Sequence, residues 1–120
     1  MTFGIIGSGA FGTALSISLS STNKKLILWT RNQDVVNSVQ EIRENRLRLP
    51  GYILPQNIIV TNDINQMENC SIILIAVPMQ QLRSVVELHR SRLEGKILVA
   101  CCKGFEAVSY THLRAHETHE

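Results

Sequence analysis

The chain has 120 residues, 44% of them hydrophobic and 18% charged, with 12 basic against 10 acidic side chains. That length holds about one domain, and that apolar content buries a core rather than leaving the chain disordered. A net charge of +2 is too small to mark a nucleic acid or other polyanion as partner.

Thr2 to Gly7 is a short apolar run stopped by glycine, the pattern of a buried strand. From Ala10 to about Ser21 the spacing predicts a helix, with Phe11, Ala14, Leu15, Ser18 and Leu19 on its inward stripe. Lys25 to Thr30 reads as a second strand. Gln33 to Asn45 reads as a second helix, with Val35, Val39 and Ile42 facing inward. Pro50, Gly51 and Pro55 punctuate a loop from Arg46 to Asn57. Ile58 to Thr61 is a third strand. Asp63 then caps a short helix, with Gln66 placed as in a capping box.

Ser71 to Val77, ended by Pro78, is the most apolar stretch and reads as a central strand. Met79 to Leu93 predicts a helix with Leu82, Val85, Val86, His89 and Leu93 inward, and Ile97 to Cys101 predicts a fifth strand. Strands that are apolar throughout and alternate with helices indicate a parallel sheet covered on both faces. Right-handed crossovers then give an α/β, Rossmann-type doubly wound parallel sheet of order 3-2-1-4-5, truncated after the fifth strand. Residues 107–120 hold three of the four histidines and show no strand or helix period, so a disordered tail is expected there.

Other features bound the setting. The run from Ile72 to Val77 is far shorter than the ~20 apolar residues of a membrane span. No basic region precedes an apolar stretch at the N-terminus, so no secretory signal is expected. Cys70, Cys101 and Cys102 form no C-x-x-C pair, which points to a reducing, cytoplasmic setting, and the adjacent Cys101 and Cys102 read as small buried residues and not as a redox pair. His112, His116 and His119 imitate a metal set, but nothing supports them, and no metal is expected.

Chemistry concentrates at Gly7-Ser8-Gly9-Ala10-Phe11-Gly12, a G-x-G-x-x-G between a strand and a helix. Gly7 permits the sharp turn, a side chain on Gly9 would block a pyrophosphate, and Gly12 lets helix and strand approach. Amides at the helix start and the helix dipole favour phosphate charge. The motif therefore predicts dinucleotide binding, although a tight turn without a ligand would use the same glycines.

The second strand ends Trp29-Thr30-Arg31-Asn32, without the acidic residue that holds the ribose of NAD. Arg31 suits a 2′-phosphate, which favours NADP(H) or no strict preference; a solvated surface arginine fits equally. Trp29 reads as a core or edge aromatic, and so does His89 as a core-edge residue. Pro78 closes the fourth strand where a nicotinamide would border the sheet, or serves only as a strand terminator. Lys103-Gly104 follows the fifth strand at the same edge, where lysine can meet a phosphate or simply be solvated.

The glycine motif continued through Thr13-Ala14-Leu15 resembles the opening of the NAD(P)-dependent glycerol-3-phosphate dehydrogenases. Trp29-Thr30-Arg31, Leu49-Pro50-Gly51, Leu54-Pro55, Thr61-Asn62-Asp63, Ala76-Val77-Pro78-Met79-Gln80 with Leu82-Arg83, and Lys103-Gly104-Phe105-Glu106 resemble later family segments, in order, over residues 1–106.

The resemblance implies interconversion of sn-glycerol 3-phosphate and glycerone phosphate with NAD or NADP, which supplies the glycerophospholipid backbone. It also implies a small-molecule phosphate substrate and a homodimeric full-length enzyme. By the same resemblance Ala10 and Phe11 contact the cofactor, Arg31 and Asn32 lie at its adenosine end, and Lys103, beside Gly104, touches cofactor and substrate phosphate. Arg48 stands where the family has tyrosine. The family's catalytic lysine and helical domain have no counterpart in these residues, so the 120-residue chain alone is expected to bind cofactor without turnover.

Val108 to Thr118 resembles a translated adapter segment, so the natural sequence is expected to end near Glu106. Two other readings remain at this point: a related 6-phosphogluconate or hydroxyacid dehydrogenase, and a stand-alone nucleotide-binding regulatory module.

Overall fold

The computed structural model describes residues 2–22, 25–101 and 108–110. Its order is β1 (Phe3–Ile6), α1 (Ala10–Ser20), β2 (Leu26–Trp29), α2 (Gln33–Ile42), β3 (Ile58–Thr61), a 3-10 helix (Ile64–Met67), β4 (Ile72–Ile75), α3 (Met79–Leu88), α4 (Arg90–Leu93), β5 (Ile97–Ala100) and β6 (Val108–Tyr110). The sheet runs β3-β2-β1-β4-β5-β6. The first five strands pair in parallel in the expected order, with Ile6 opposite both Trp29 and Ile75. The strand order reverses its progression between β1 and β4, which opens a crevice at the carboxyl edge there.

β6 departs from the expectation. The tail carries no strand pattern, yet the backbone of Val108–Tyr110 pairs antiparallel with β5, Val99 opposite Ser109. Backbone pairing on an open edge needs no hydrophobic period, because the main chain supplies every bond.

The strands are apolar at odd and even positions because both sheet faces are covered. Ile5, Leu26, Leu28 and Ile58 pack with Val35, Val36 and Val39 of α2 on one face. Ile6, Ile27, Trp29, Ile73 and Ile75 pack with Met67 and Leu93 on the other. Gly4 at the centre of β1 leaves the room that the Met67 sulfur fills, since a Cβ there would come within 2.6 Å of it.

Three helices differ from their periodicity. α1 buries Gly12, Thr13, Ser16 and Ser20, while Phe11 is 43% exposed and Ala14 and Ser18 face solvent. Its backbone lies so close to the sheet that small residues take the most buried positions, and Leu15, Ile17 and Leu19 pack half-buried against the core.

α2 ends at Ile42, which is 40% exposed, and not at Asn45. Arg43 stops it in a left-handed conformation, φ 57°, that sends the chain back across the sheet. The helix predicted from Met79 to Leu93 breaks at His89. The break keeps the inward stripe, burying Leu93 and setting the imidazole against Trp29. Before β4, Asp63 caps as expected, but its carboxylate accepts the Asn65 N–H, not that of Gln66.

Candidate functional site

The glycine turn joins β1 to α1 beside the end of β4. Gly7 has φ 115°, a conformation strained for any other residue. A Cβ on Gly7 would also come within 2.6 Å of the Ala76 carbonyl oxygen. The Gly7 N–H donates to the Trp29 carbonyl at 3.0 Å, and the Ala76 N–H donates to that of Ile6 at 2.8 Å. The turn is thus held between the ends of β2 and β4.

Gly9 is different. Its φ of −67° suits any residue, and a Cβ built on it meets no protein atom within 4 Å. Neither backbone conformation nor packing within the described residues asks for glycine there. Space kept open in front of Gly9, at the start of a helix whose N-terminus carries no side-chain cap, fits a ligand that approaches the backbone. The first helical bond, from the Thr13 N–H to the Gly9 carbonyl, is 3.0 Å long, and Ala10 and Phe11 lie exposed on the same turn. A pyrophosphate fits this arrangement of amides, dipole and free space.

The neighbouring loop carries the other residues expected at a nucleotide site. Arg31 is exposed just past β2. Asn32 is the N-cap of α2, its side chain accepting the Asp34 N–H at 2.9 Å. Pro78 precedes the first turn of α3 and is exposed at the carboxyl edge. The fold brings the ends of β1, β2 and β4 to one edge, and Gly7, Gly9, Ala10, Phe11, Gly12, Arg31, Asn32 and Pro78 with them. Lys103 and Gly104 lie outside the described residues, as do Cys102, His112, His116 and His119.

Several residues that organise this edge are given no role by the sequence pattern. The Thr30 hydroxyl, 3% exposed, accepts the Ser8 hydroxyl at 2.7 Å and the Asn32 N–H at 3.0 Å, joining the glycine turn to the β2 loop. Asn45 reaches the same turn from beyond α2, donating to the Ser8 carbonyl at 3.0 Å and to the Thr13 hydroxyl at 2.9 Å. Thr13 directly follows the glycine motif, which is the one cue its position gives.

Trp29 is a core aromatic, as expected, and His89 meets its ring edge at 4.8 Å between centroids. Cys70 is buried, and burial pushes its thiol pKa up, which keeps it an inert apolar filler. Among the described residues no three His, Cys, Asp or Glu side chains gather to hold a metal, and no helix is long and apolar enough to cross a membrane.

Residues 2–118 match the family model described as the NAD-dependent glycerol-3-phosphate dehydrogenase N-terminus. The chain belongs to that family.

Its relatives include the glycerol-3-phosphate dehydrogenase [NAD(P)+] of Ruegeria sp. (strain TM1040), 46% identical over 106 residues, and that of Roseobacter denitrificans, 44% identical over 106 residues. Each alignment covers 88% of this chain and 33% of the relative. The chain therefore spans about a third of the length of the curated relatives it matches. Among solved structures, the Coxiella burnetii glycerol-3-phosphate dehydrogenase superposes with a TM-score of 0.78 at 27% identity, over 87% of this chain and 33% of that one. The expected fold and family are both found.

Proposed function

We propose that residues 1–106 are the cofactor-binding part of an oxidoreductase that interconverts sn-glycerol 3-phosphate and glycerone phosphate with NAD or NADP. The observation that carries this is Gly9, a glycine that nothing among the described residues demands, placed at an uncapped helix start with open space before it. Membership of the family supplies the reaction; the geometry supports the binding role.

In this reading Gly9, Ala10 and Phe11 present backbone to the pyrophosphate, on a turn built by Gly7 and Gly12. Gly7 shapes the turn, Gly9 keeps it open, and Gly12 lets α1 seat against it. Arg31 and Asn32 serve the adenosine end, and Pro78 borders the nicotinamide half. Arg31 and the lack of an acidic residue at the end of β2 favour NADP over NAD slightly.

Lys103 contacts both the cofactor and the substrate phosphate, and Gly104 lies beside it at the substrate. When bound, the nicotinamide supplies hydride to, or takes it from, the central carbon of the three-carbon phosphate. The residues of this chain bind and orient; the proton-transferring lysine belongs to a further part of the enzyme. The same reading places the enzyme in the cytoplasm, as a homodimer, making glycerophospholipid precursor. Family membership weighs against a 6-phosphogluconate or hydroxyacid dehydrogenase and against a stand-alone regulatory module.

The test is a titration of NADPH, and separately of NADH, into the 120-residue chain, followed by nicotinamide fluorescence. Saturable binding that Gly9→Val removes is the expected result. A folded chain that binds neither nucleotide overturns the reading. Glycerone phosphate-dependent NADPH oxidation by the full-length protein then tests the reaction itself.

A further inference from the structure

Two side chains hold the Ser8 carbonyl toward the protein interior: Nδ2 of Asn45 donates to it at 3.0 Å and Oγ1 of Thr13 at 3.2 Å. Asn45 is 0% exposed and comes from 37 residues away. Its Nδ2 also donates to the buried Thr13 hydroxyl at 2.9 Å, and its Oδ1 accepts the Arg48 N–H at 3.2 Å. A buried amide is costly unless its groups are paired, and here both donors and the acceptor are used. An apolar residue would fill the same space without that demand. The asparagine is accounted for by what it holds.

Across a trans peptide the C=O and the following N–H point in opposite directions, and the described chain has no cis bond. A Ser8 carbonyl drawn inward therefore turns the Gly9 N–H outward, at the residue whose surroundings are open. The other end of the tether is the 46–57 loop. The Arg43 guanidinium donates to the carbonyls of Leu54 and Ile58 at 3.3 and 2.9 Å. The Gly51 N–H donates to the Glu44 carboxylate at 2.8 Å, and the Leu49 N–H to the Asn45 carbonyl at 2.9 Å. Three consecutive residues thus grip the loop's far end, its tip and the glycine turn.

The geometry points to Asn45 as a positioning residue for the dinucleotide. By pinning the Ser8 carbonyl it aims the Gly9 amide and the first turn of α1 at the pyrophosphate, and it makes that aim depend on the 46–57 loop. This rests on the cofactor-binding reading above.

The test uses the 120-residue chain with Asn45→Asp and Asn45→Leu, each shown to be folded by circular dichroism. NADPH is the probe, and amide hydrogen exchange is measured without it. Both variants are expected to weaken NADPH binding at least about tenfold, the effect of losing one hydrogen bond of about 1.4 kcal/mol. Exchange of the Thr13 amide should quicken while Ile5 and Leu28 in the sheet keep their rates.

The Asn45→Asp deficit should shrink as pH falls, because a protonated carboxyl regains one donor for the Ser8 carbonyl and a carboxylate has none. A purely structural role would not restore affinity with acid. Wild-type chain that binds NADPH, with folded Asn45 variants that bind it equally well, overturns this inference alone. Folded wild-type chain that binds neither NADPH nor NADH overturns the cofactor reading and this inference with it. If both Asn45 variants unfold, Thr13→Val removes the other donor to the Ser8 carbonyl and carries the same test.

Discussion

The carbonyl oxygen of Gly7 occupies the space that a side chain on Gly12 would need. A Cβ built on Gly12 overlaps that oxygen and comes within 3.3 Å of the Ala76 methyl group. Both obstacles belong to the junction of β1, β4 and α1, and the nearer one is backbone, which cannot rotate aside. Gly12→Ala is therefore expected to push α1 off the sheet. The cost should reach the upper part of the overpacking range, about 3 kcal/mol. Urea unfolding of the two proteins measures it; a midpoint unchanged by the substitution would show that α1 sits less tightly than described.

Gly9 gives the opposite combination. Its backbone conformation is open to any residue and its Cβ position is empty. Gly9→Ala should leave the folded state unstrained and restrict the unfolded chain, raising stability by about 0.4–1 kcal/mol. The same methyl group stands where a pyrophosphate would meet the backbone, so NADPH binding should weaken by at least about tenfold, or 1.4 kcal/mol. Thermal unfolding and NADPH titration on one preparation check both signs. A stabilised variant that binds NADPH normally would remove the functional reason for this glycine.

The strand order and the glycine turn were legible because both rest on strong local signals. Unbroken apolar strands such as Ile72–Ile75 have one stable surrounding, a sheet covered on both sides, and Gly7-x-Gly9-x-x-Gly12 stands where a strand meets a helix. The inward side of α1 was misread because periodicity counts apolar residues. Close approach selects small ones instead, so Thr13 and Ser16 took the places expected of Phe11 and Ala14. Asn45 was invisible for a different reason. A lone polar residue after a helix has no spacing to betray it, and its partners lie 32 and 37 positions away. Arg43 ended α2 early through a left-handed turn that no glycine or proline announced.

Under the proposed cofactor reading, Arg31 is expected to separate the two nicotinamide cofactors. It is exposed at the end of β2, and no acidic side chain stands between Trp29 and Asn32. A 2′-phosphate would give its guanidinium a charged, bidentate partner that NADH lacks. Arg31→Ala should weaken NADPH by about tenfold, 1.4 kcal/mol, and leave NADH nearly unchanged. Parallel titrations with both nucleotides decide it. Equal losses for the two, or none for either, would assign Arg31 to the solvated surface.

His89 should make the fold acid-sensitive. Its ring meets Trp29 edge-on at 72°, and its Nε2 and the Trp29 Nε1 are buried with no hydrogen-bond partner among the described residues. Burial holds the imidazole pKa below its ordinary 6.5. The unfolded chain then takes up the proton first as pH falls. Stability is full above 6.5, falls as pH drops from 6.5 toward the folded-state pKa, and levels off below it. The Trp29 carbonyl accepts the Gly7 N–H at 3.0 Å, so a disturbance at this ring pair reaches the first glycine of the motif. The melting temperature of the wild-type chain should therefore fall as pH drops below 6.5, and NADPH affinity should fall only at the lower pH where the folded imidazole itself takes up a proton. His89→Phe keeps the aromatic edge against Trp29 and removes the titration, so its profiles should be flatter over that range. Wild-type and His89→Phe profiles that run parallel would overturn the assignment of the acid sensitivity to His89.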